Sequence, residues 1–325
     1  MRTGKISENV LKRSVFKRCK IKNEKVAQGP AIGQDCAIVP VEGKKTVEIS
    51  TQTVVIDEVC RVRHGIHHAV NNLYCSGAEA IAVSLALLLP EDAEEALLRE
   101  IMDQADMTCR ECEIALAGGH TEVSSAVCRP VLTVTALGAA AEKAHALKEL
   151  LPGQDLVMTG WTGMEGTALL ARKHAAELEK RFPLELVDKA KNFDENLELK
   201  TVSEIAWKNG ATAMHDVSQG GIFGALWEMC EGAGVGLEAD LRKIPIRQET
   251  IEICEIYGWN PYCLLSGGSM LIAAGDGQAL VSELEKAQIL ATVIGRTTDK
   301  RDKILNNGEE CRFLDKPAQD EIQKL

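Results

Sequence analysis

Residues 116–123 read LAGGHTEV: an apolar run stops at two glycines, and a histidine, a threonine and a glutamate follow at once. Glycine lets backbone N–H groups come close to an anionic oxygen, and the side chains behind it can hold a phosphate or a metal. Three further stretches in the first half place polar groups beside a strand or helix end. GPAIGQDCAIV (29–39) bends at Gly29 and Gly33 and offers Asp35. STQT (50–53) sets Thr51 and Gln52 inside a strand, and AVNNLYCSGA (69–78) sets Asn71 and Asn72 inside a helix. Singly, each reads as an ordinary turn or a satisfied polar residue. As a group they point to a phosphate site, because buried strand and helix positions do not carry amides without partners.

Such sites usually add a hard cation held by oxygen. Asp35 is the anionic candidate ligand, while Gln52, Asn72 and His120 are neutral ones. In the second half, AMHDVSQGGIFGALWEM (213–229) ends a strand at Asp216 and opens a helix at Gly220 and Gly221, with Ser218 placed to cap it. GWTGMEG (160–166) is a comparable bend. Neither the GxxxxGK[ST] loop nor the dinucleotide GxGxxG fingerprint is present.

Other chemistries find less support. His64 and His68 share a helix face at zinc-compatible spacing, but no HExxH glutamate accompanies them. The lone CxxC, Cys109–Cys112, closes a helix and has no second pair. The eleven cysteines lie largely in apolar stretches, where a thiol acts as a small hydrophobe, which fits a reducing cytoplasm. No Ser–His–Asp order is visible.

The elements that must position these residues follow from periodicity. TVEISTQTVVI (46–56) reads as a strand, 61–75 as a helix and AIAVSLALLL (80–89) as a buried strand. Pro90 and Glu91 open a helix running to about Cys109; ECEIALAGG then reads as a short strand ending in the glycines, followed by a longer strand, CRPVLTVTALGAA. The first half is therefore β-α-β-α-β-β, an α+β layer. After a weak linker at 142–154, strands are expected at DLVMTG, 211–217, 234–240, 268–275 and 291–297, and helices after WTG and near 197–208, 222–233 and 246–257. The boundaries are 1–145 for an N-terminal domain and 152–325 for a C-terminal one.

A net charge of −11 argues against nucleic acid as a partner, although residues 1–25 form a basic helix. No apolar run approaches the ~20 residues that span a bilayer, and the N-terminus lacks the apolar segment of a signal peptide, so a cytoplasmic location is expected.

The ordered loops resemble the superfamily of aminoimidazole ribonucleotide (AIR) synthetase (PurM), which includes HypE, thiamine-monophosphate kinase, selenophosphate synthetase and formylglycinamidine ribonucleotide synthetase. The resemblance covers nearly the whole chain and is nearest to HypE-like, AIR-synthase-related proteins, GGHTEV and WTGMEGTALLA especially. It implies a two-domain PurM-like α+β fold, with a ferredoxin-like N-terminal half closing a barrel in a homodimer and an α/β sandwich-like C-terminal half. It also implies ATP in a groove at that interface, its phosphates held through Mg²⁺. On this resemblance Gly33, Asp35, Thr51, Gln52, Asn72, Gly118, Gly119, His120, Thr121, Asp216, Gly220 and Gly221 are the nucleotide-site residues, with Asp35, Asn72 and His120 at metal positions. Family carboxylates are replaced by Gln52, Asn72 and His120, which weakens a Mg²⁺ site. The chain ends in PAQDEIQKL rather than in the cysteine of HypE tails. Two functions follow as expectations: ATP-dependent phosphorylation of a substrate oxygen, or a non-catalytic nucleotide sensor or scaffold.

Overall fold

In the β2 strand, Thr46–Val55, every second side chain from Thr46 to Val54 turns inward and the others outward, so one face of its sheet is dry and the other open. The computed structural model describes residues 8–10, 12, 31–32, 36–40, 46–140, 145, 147–316 and 319–325. Contacts divide the chain into two units, one holding Gln34–Ala144 and the other His145–Leu325 together with the first residues.

In the N-terminal unit, β1 (Cys36–Pro40), β2, β3 (Glu79–Leu89), β4 (Ala115–Val123) and β5 (Val131–Ala140) form a sheet of order β1-β2-β5-β3-β4. Only β3 and β4 pair in parallel. Of the helices, α1 (Glu8–Val10) belongs to the other unit, and α2 (Arg61–Cys75) and α3 (Glu95–Glu111) serve this sheet. Almost all of α2 is buried. It lies close to the strands because Gly65 has no side chain: a Cβ there would sit 2.9 Å from a Val54 methyl. Along α3 the buried positions are Ile101, Ala105, Thr108 and Cys109, the spacing of one helical face. That helix starts at Glu95, later than the expected opening at Pro90–Glu91.

In the C-terminal unit the sheet runs β12 (Glu310–Phe313), β11 (Lys303–Asn307), β8 (Gly236–Asp240), β10 (Ala291–Thr298), β6 (Asp155–Thr159), β9 (Met270–Ala274), β7 (Ala211–Asp216). All five β9 residues are buried, as in a strand covered on both faces. Leu271 and Ala273 share a core with Ile222, Leu226 and Met229 of α8 (Gly221–Ala233). The helices α7 (Lys200–Lys208) and α10 (Gly277–Lys286) also contact the sheet. A satellite core joins α4 (Met164–Lys173), α5 (Ala175–Leu178), α6 (Leu184–Lys191) and α9 (Gln248–Tyr257), with Ile322 and Leu325 of the C-terminal tail packed on it. The sequence reading lacked α6, α10, β11 and β12.

No helix among the described residues is long and apolar enough to cross a membrane.

Candidate functional site

The expected loop at Gly118–Gly119 is not a loop. Both glycines lie inside the edge strand β4, which runs on to Val123 rather than ending at them. Parallel pairing with β3 carries it through: Leu85 faces Gly119, Ala86 faces His120 and Leu87 faces Thr121. The two glycines serve different needs. A Cβ on Gly119 would lie 2.0 Å from the Leu85 carbonyl oxygen, so close approach of the two backbones requires glycine there. Around Gly118 a Cβ would meet nothing within 4 Å, so this backbone is the one open to a ligand.

Beside these residues lies a cavity of about 300 Å³. Leu85, Leu87, Leu132, Ile101 and Leu116 line it, and Gly118 to Thr121 form part of its wall. Its size falls at the lower bound of small-molecule pockets, and its apolar lining suits a planar ring more than a phosphate.

Sheet register decides which of the proposed ligands meet. One row runs Gln52, Val134, Leu85, Gly119, and the next runs Thr53, Thr133, Ala86, His120. Val134 and Leu85 are buried under the helices, whereas Thr53, Ala86 and His120 are exposed. Gln52 and His120 therefore belong to opposite faces, on strands three spacings or about 14 Å apart. Thr51 lies on the open face, its hydroxyl 3.2 Å from that of Thr135. Thr121 shares the helix-side row of Leu87.

Asn72 is buried in α2 and donates from Nδ2 to Ser50 Oγ at 2.9 Å. Nearby, Glu48 is fully buried and accepts from Thr46 and Ser76. Burial raises its carboxyl above the ordinary range, opposed by those two hydrogen bonds. Glu48 was missed in the sequence, although its alternation with Ser50 and Gln52 marks it as inward-facing. Thr46, Glu48, Ser50 and Asn72 form a polar seam joining β2 to α2.

His120 Nε2 is 2.9 Å from Glu122 Oε2, both exposed on β4. The other carboxylates that could replace the missing family ligands also have partners: Asp57 lies 3.9 Å from Arg61, and Glu58 accepts from the Cys60 thiol. Gln52, Asn72 and His120 thus supply no carboxylate, and Gln52 and His120 lie on opposite faces of the sheet, a poor set for a Mg²⁺ ion by themselves. Gly33 and Asp35 lie outside the described residues, as does most of the basic N-terminal segment.

The histidine pair of α2 is interior: His64 and His68 are buried, and His64 Nδ1 accepts from Arg61 at 2.9 Å. Cys112 Sγ lies 3.8 Å from His67 Nδ1, and burial pushes the Cys109 thiol up to about 11. That opposes the thiolate a redox pair or a zinc site would need.

In the C-terminal unit, Asp216 ends β7 and is buried beside His215, whose Nδ1 donates to the Asp216 carbonyl at 2.7 Å. Gly220 and Gly221 both have positive φ, and a Cβ on Gly221 would meet the Tyr262 carbonyl at 2.5 Å. The expected Ser218 side-chain cap does not form. Asp320 of the C-terminal tail replaces it, accepting from the N–H groups of Gly220 (2.5 Å), Ile322 (2.8 Å) and Leu265 (3.2 Å). Burial above all pushes its carboxyl up to about 6, with Glu165 adding to the rise and the three N–H groups opposing it. A long-range cap of this kind leaves no local sequence signal.

Comparison with known proteins settles the family. The model of the AIR synthase related protein N-terminal domain matches residues 33–140, and that of the C-terminal domain matches 152–306. The chain belongs to the AIR synthase related family. A Methanocaldococcus jannaschii protein named for hydrogenase expression/formation is 25% identical to this AIR synthase related protein, over 99% of this chain and 97% of that one. The structure of the hydrogenase maturation protein HypE in complex with ATP matches with a TM-score of 0.71 at 16% identity, covering 98% of this chain and 97% of HypE. ThiL complexed with AMPPCP and TMP matches with a TM-score of 0.74 at 19% identity, covering 95% and 97%. The mixed α+β, PurM-like fold is thereby shown for this family member, as the loops implied.

Proposed function

We propose that this AIR synthase related protein binds ATP and uses it to activate a substrate oxygen by phosphorylation. The observation that carries this reading is the open backbone at Gly118 beside an apolar cavity. The two structural neighbours, one holding ATP and the other AMPPCP, support it. In this reading Gly118, Gly119 and Thr121 flank the nucleotide, and Thr51, Gln52, Asn72 and His120 occupy the family's positions around it. Gly33 and Asp35 supply the first loop and its anionic ligand. Asp216, Gly220 and Gly221 form a further anion-facing turn. The residues' own work is binding and orientation, which for phosphoryl transfer is a large share of catalysis.

A second reading, a non-catalytic nucleotide sensor, is favoured by the neutral, divergent set Gln52, Asn72 and His120. One experiment separates the two. Calorimetric titration with ATP is expected to show binding that persists after Mg²⁺ is chelated, since Asp35 is the one carboxylate among the residues at the family's metal positions. No ATP binding under either condition sinks both readings. Binding with turnover in an acceptor screen selects the enzyme, and binding without turnover selects the sensor.

The homodimer belongs to the same proposal. On the open sheet face Ile49, Val55, Ile81 and Leu137 are each between 37% and 49% exposed, an apolar patch that a second copy would cover. Ile81→Lys is expected to convert a dimer into a monomer in sedimentation; an unchanged mass removes this face from the interface. The location proposed is the cytoplasm, with neither nucleic acid nor membrane as partner.

A further inference from the structure

The C-terminal unit carries a second cavity, separate from the one at Gly118. It holds about 170 Å³, space for roughly half a dozen waters and well below drug-sized pockets. Phe223, Leu305 and Leu314, all buried, form its apolar floor. Asn260, Arg312 and Asp315 are among the polar residues around it.

Among the described residues Arg312 forms no ion pair and rests against an aromatic ring instead. Its guanidinium stands over the Phe223 ring at 5.8 Å, and Phe223 stacks in turn on Tyr262 at 5.1 Å, with ring planes 11° from parallel. A guanidinium oriented by stacking has lost part of its freedom before any ligand arrives, so a bidentate contact to a carboxylate costs less ordering. Asp315 lines the same cavity, and neither a salt bridge nor a hydrogen bond engages its carboxylate among the described residues. The remaining charges are already neutralised: Lys316 pairs with Glu8 at 2.9 Å, and Glu321 pairs with Lys324. Asn260 spends its side-chain oxygen capping the turn at Tyr262, which leaves its amide N–H groups as donors.

One cation and one anion, unpaired with each other and set around a small apolar floor, complement a ligand with both charges. We propose that this cavity binds a small zwitterion, a free α-amino acid, with its carboxylate on Arg312, its ammonium on Asp315 and its side chain over Phe223 and Leu314. Asn260 adds a donor to the carboxylate end. Gly220, assigned above to an anion-facing turn, also lines this cavity, but none of the residues that would hold the amino acid belongs to the nucleotide set.

The test is thermal unfolding and equilibrium dialysis of the full chain with each proteinogenic amino acid. At least one is expected to bind saturably and raise Tm. The same side chain lacking its carboxylate (the amine) or its ammonium (the acid) is expected to bind about tenfold more weakly or worse, as loss of a charged hydrogen bond implies. Arg312→Gln and Asp315→Asn should each abolish binding while leaving the ligand-free Tm unchanged, Arg312 being exposed on an edge strand. The proposal is overturned if no amino acid binds the wild-type chain. Equal binding of the acid or the amine, or binding that survives in both variants, overturns it as well.

Discussion

Gly119→Ala is expected to destabilise the protein by about 3 kcal/mol, whereas Gly118→Ala, one residue earlier, is expected to change stability by less than about 1 kcal/mol. The difference comes from the backbone. An added methyl at 119 has to displace the Leu85 carbonyl, a member of the β3–β4 ladder, and neither strand can yield without losing hydrogen bonds. At 118 the methyl projects into open space. Binding should divide the opposite way: Gly118→Ala keeps the fold but weakens ATP by about tenfold, because its methyl takes the space a phosphate or ribose needs. Urea unfolding and calorimetry on the pair check both halves. Unaltered ATP affinity in a folded Gly118→Ala protein takes this backbone out of the nucleotide surface.

The second large effect is at Asp320. Asp320→Ala removes the shared acceptor of the Gly220, Leu265 and Ile322 N–H groups, of which Leu265 is fully buried. A loss of about 2–4 kcal/mol is expected. Its pH dependence has a defined sign. The folded carboxyl titrates at about 6, above the ordinary 3.8, so the folded state binds the proton more tightly. The contribution of Asp320 is then fully present below about pH 4 and declines as pH rises to about 6, by about 3 kcal/mol over that window. The stability gap between wild type and Asp320→Ala should therefore be wider at pH 4.5 than at pH 7. Taking the difference between the two proteins cancels the other carboxylates, and a gap that widens with pH instead would contradict the assignment.

Much of the architecture could be read from the chain because it is written in local periodicity. The alternation in 46–56 and the helical spacing between Pro90 and Cys109 each bury one face, as a strand and a helix do, while 61–75 reads as a helix that is buried nearly all round. The polar stretches were also legible as a set, and their order along the chain was enough to indicate the AIR synthase related family. The short C-terminal strands β11 and β12 were not visible, since four or five residues with mixed polarity carry little periodic signal.

What the sequence could not show is how residues from distant strands are placed. LAGGHTEV contains two glycines, and nothing in the string distinguishes Gly119, needed by the Leu85 carbonyl, from Gly118, which is open. That distinction is set by a parallel neighbour 34 positions earlier in the chain, as Leu85 and Gly119 are paired. The same holds for the family metal positions. Their residue types, Gln52, Asn72 and His120 beside the retained Asp35, already stated that much of the anionic charge was gone. Only the strand order β1-β2-β5-β3-β4 and the two-residue pleat decided that Gln52 and His120 face opposite ways. At Gly220 the local sequence offered Ser218 as a cap, and the fold used Asp320, a hundred residues away, because a buried carboxylate can satisfy three backbone donors at once. Local sequence fixes which elements form and which faces they bury; convergence of side chains depends on register and long-range closure, which only the tertiary structure determines.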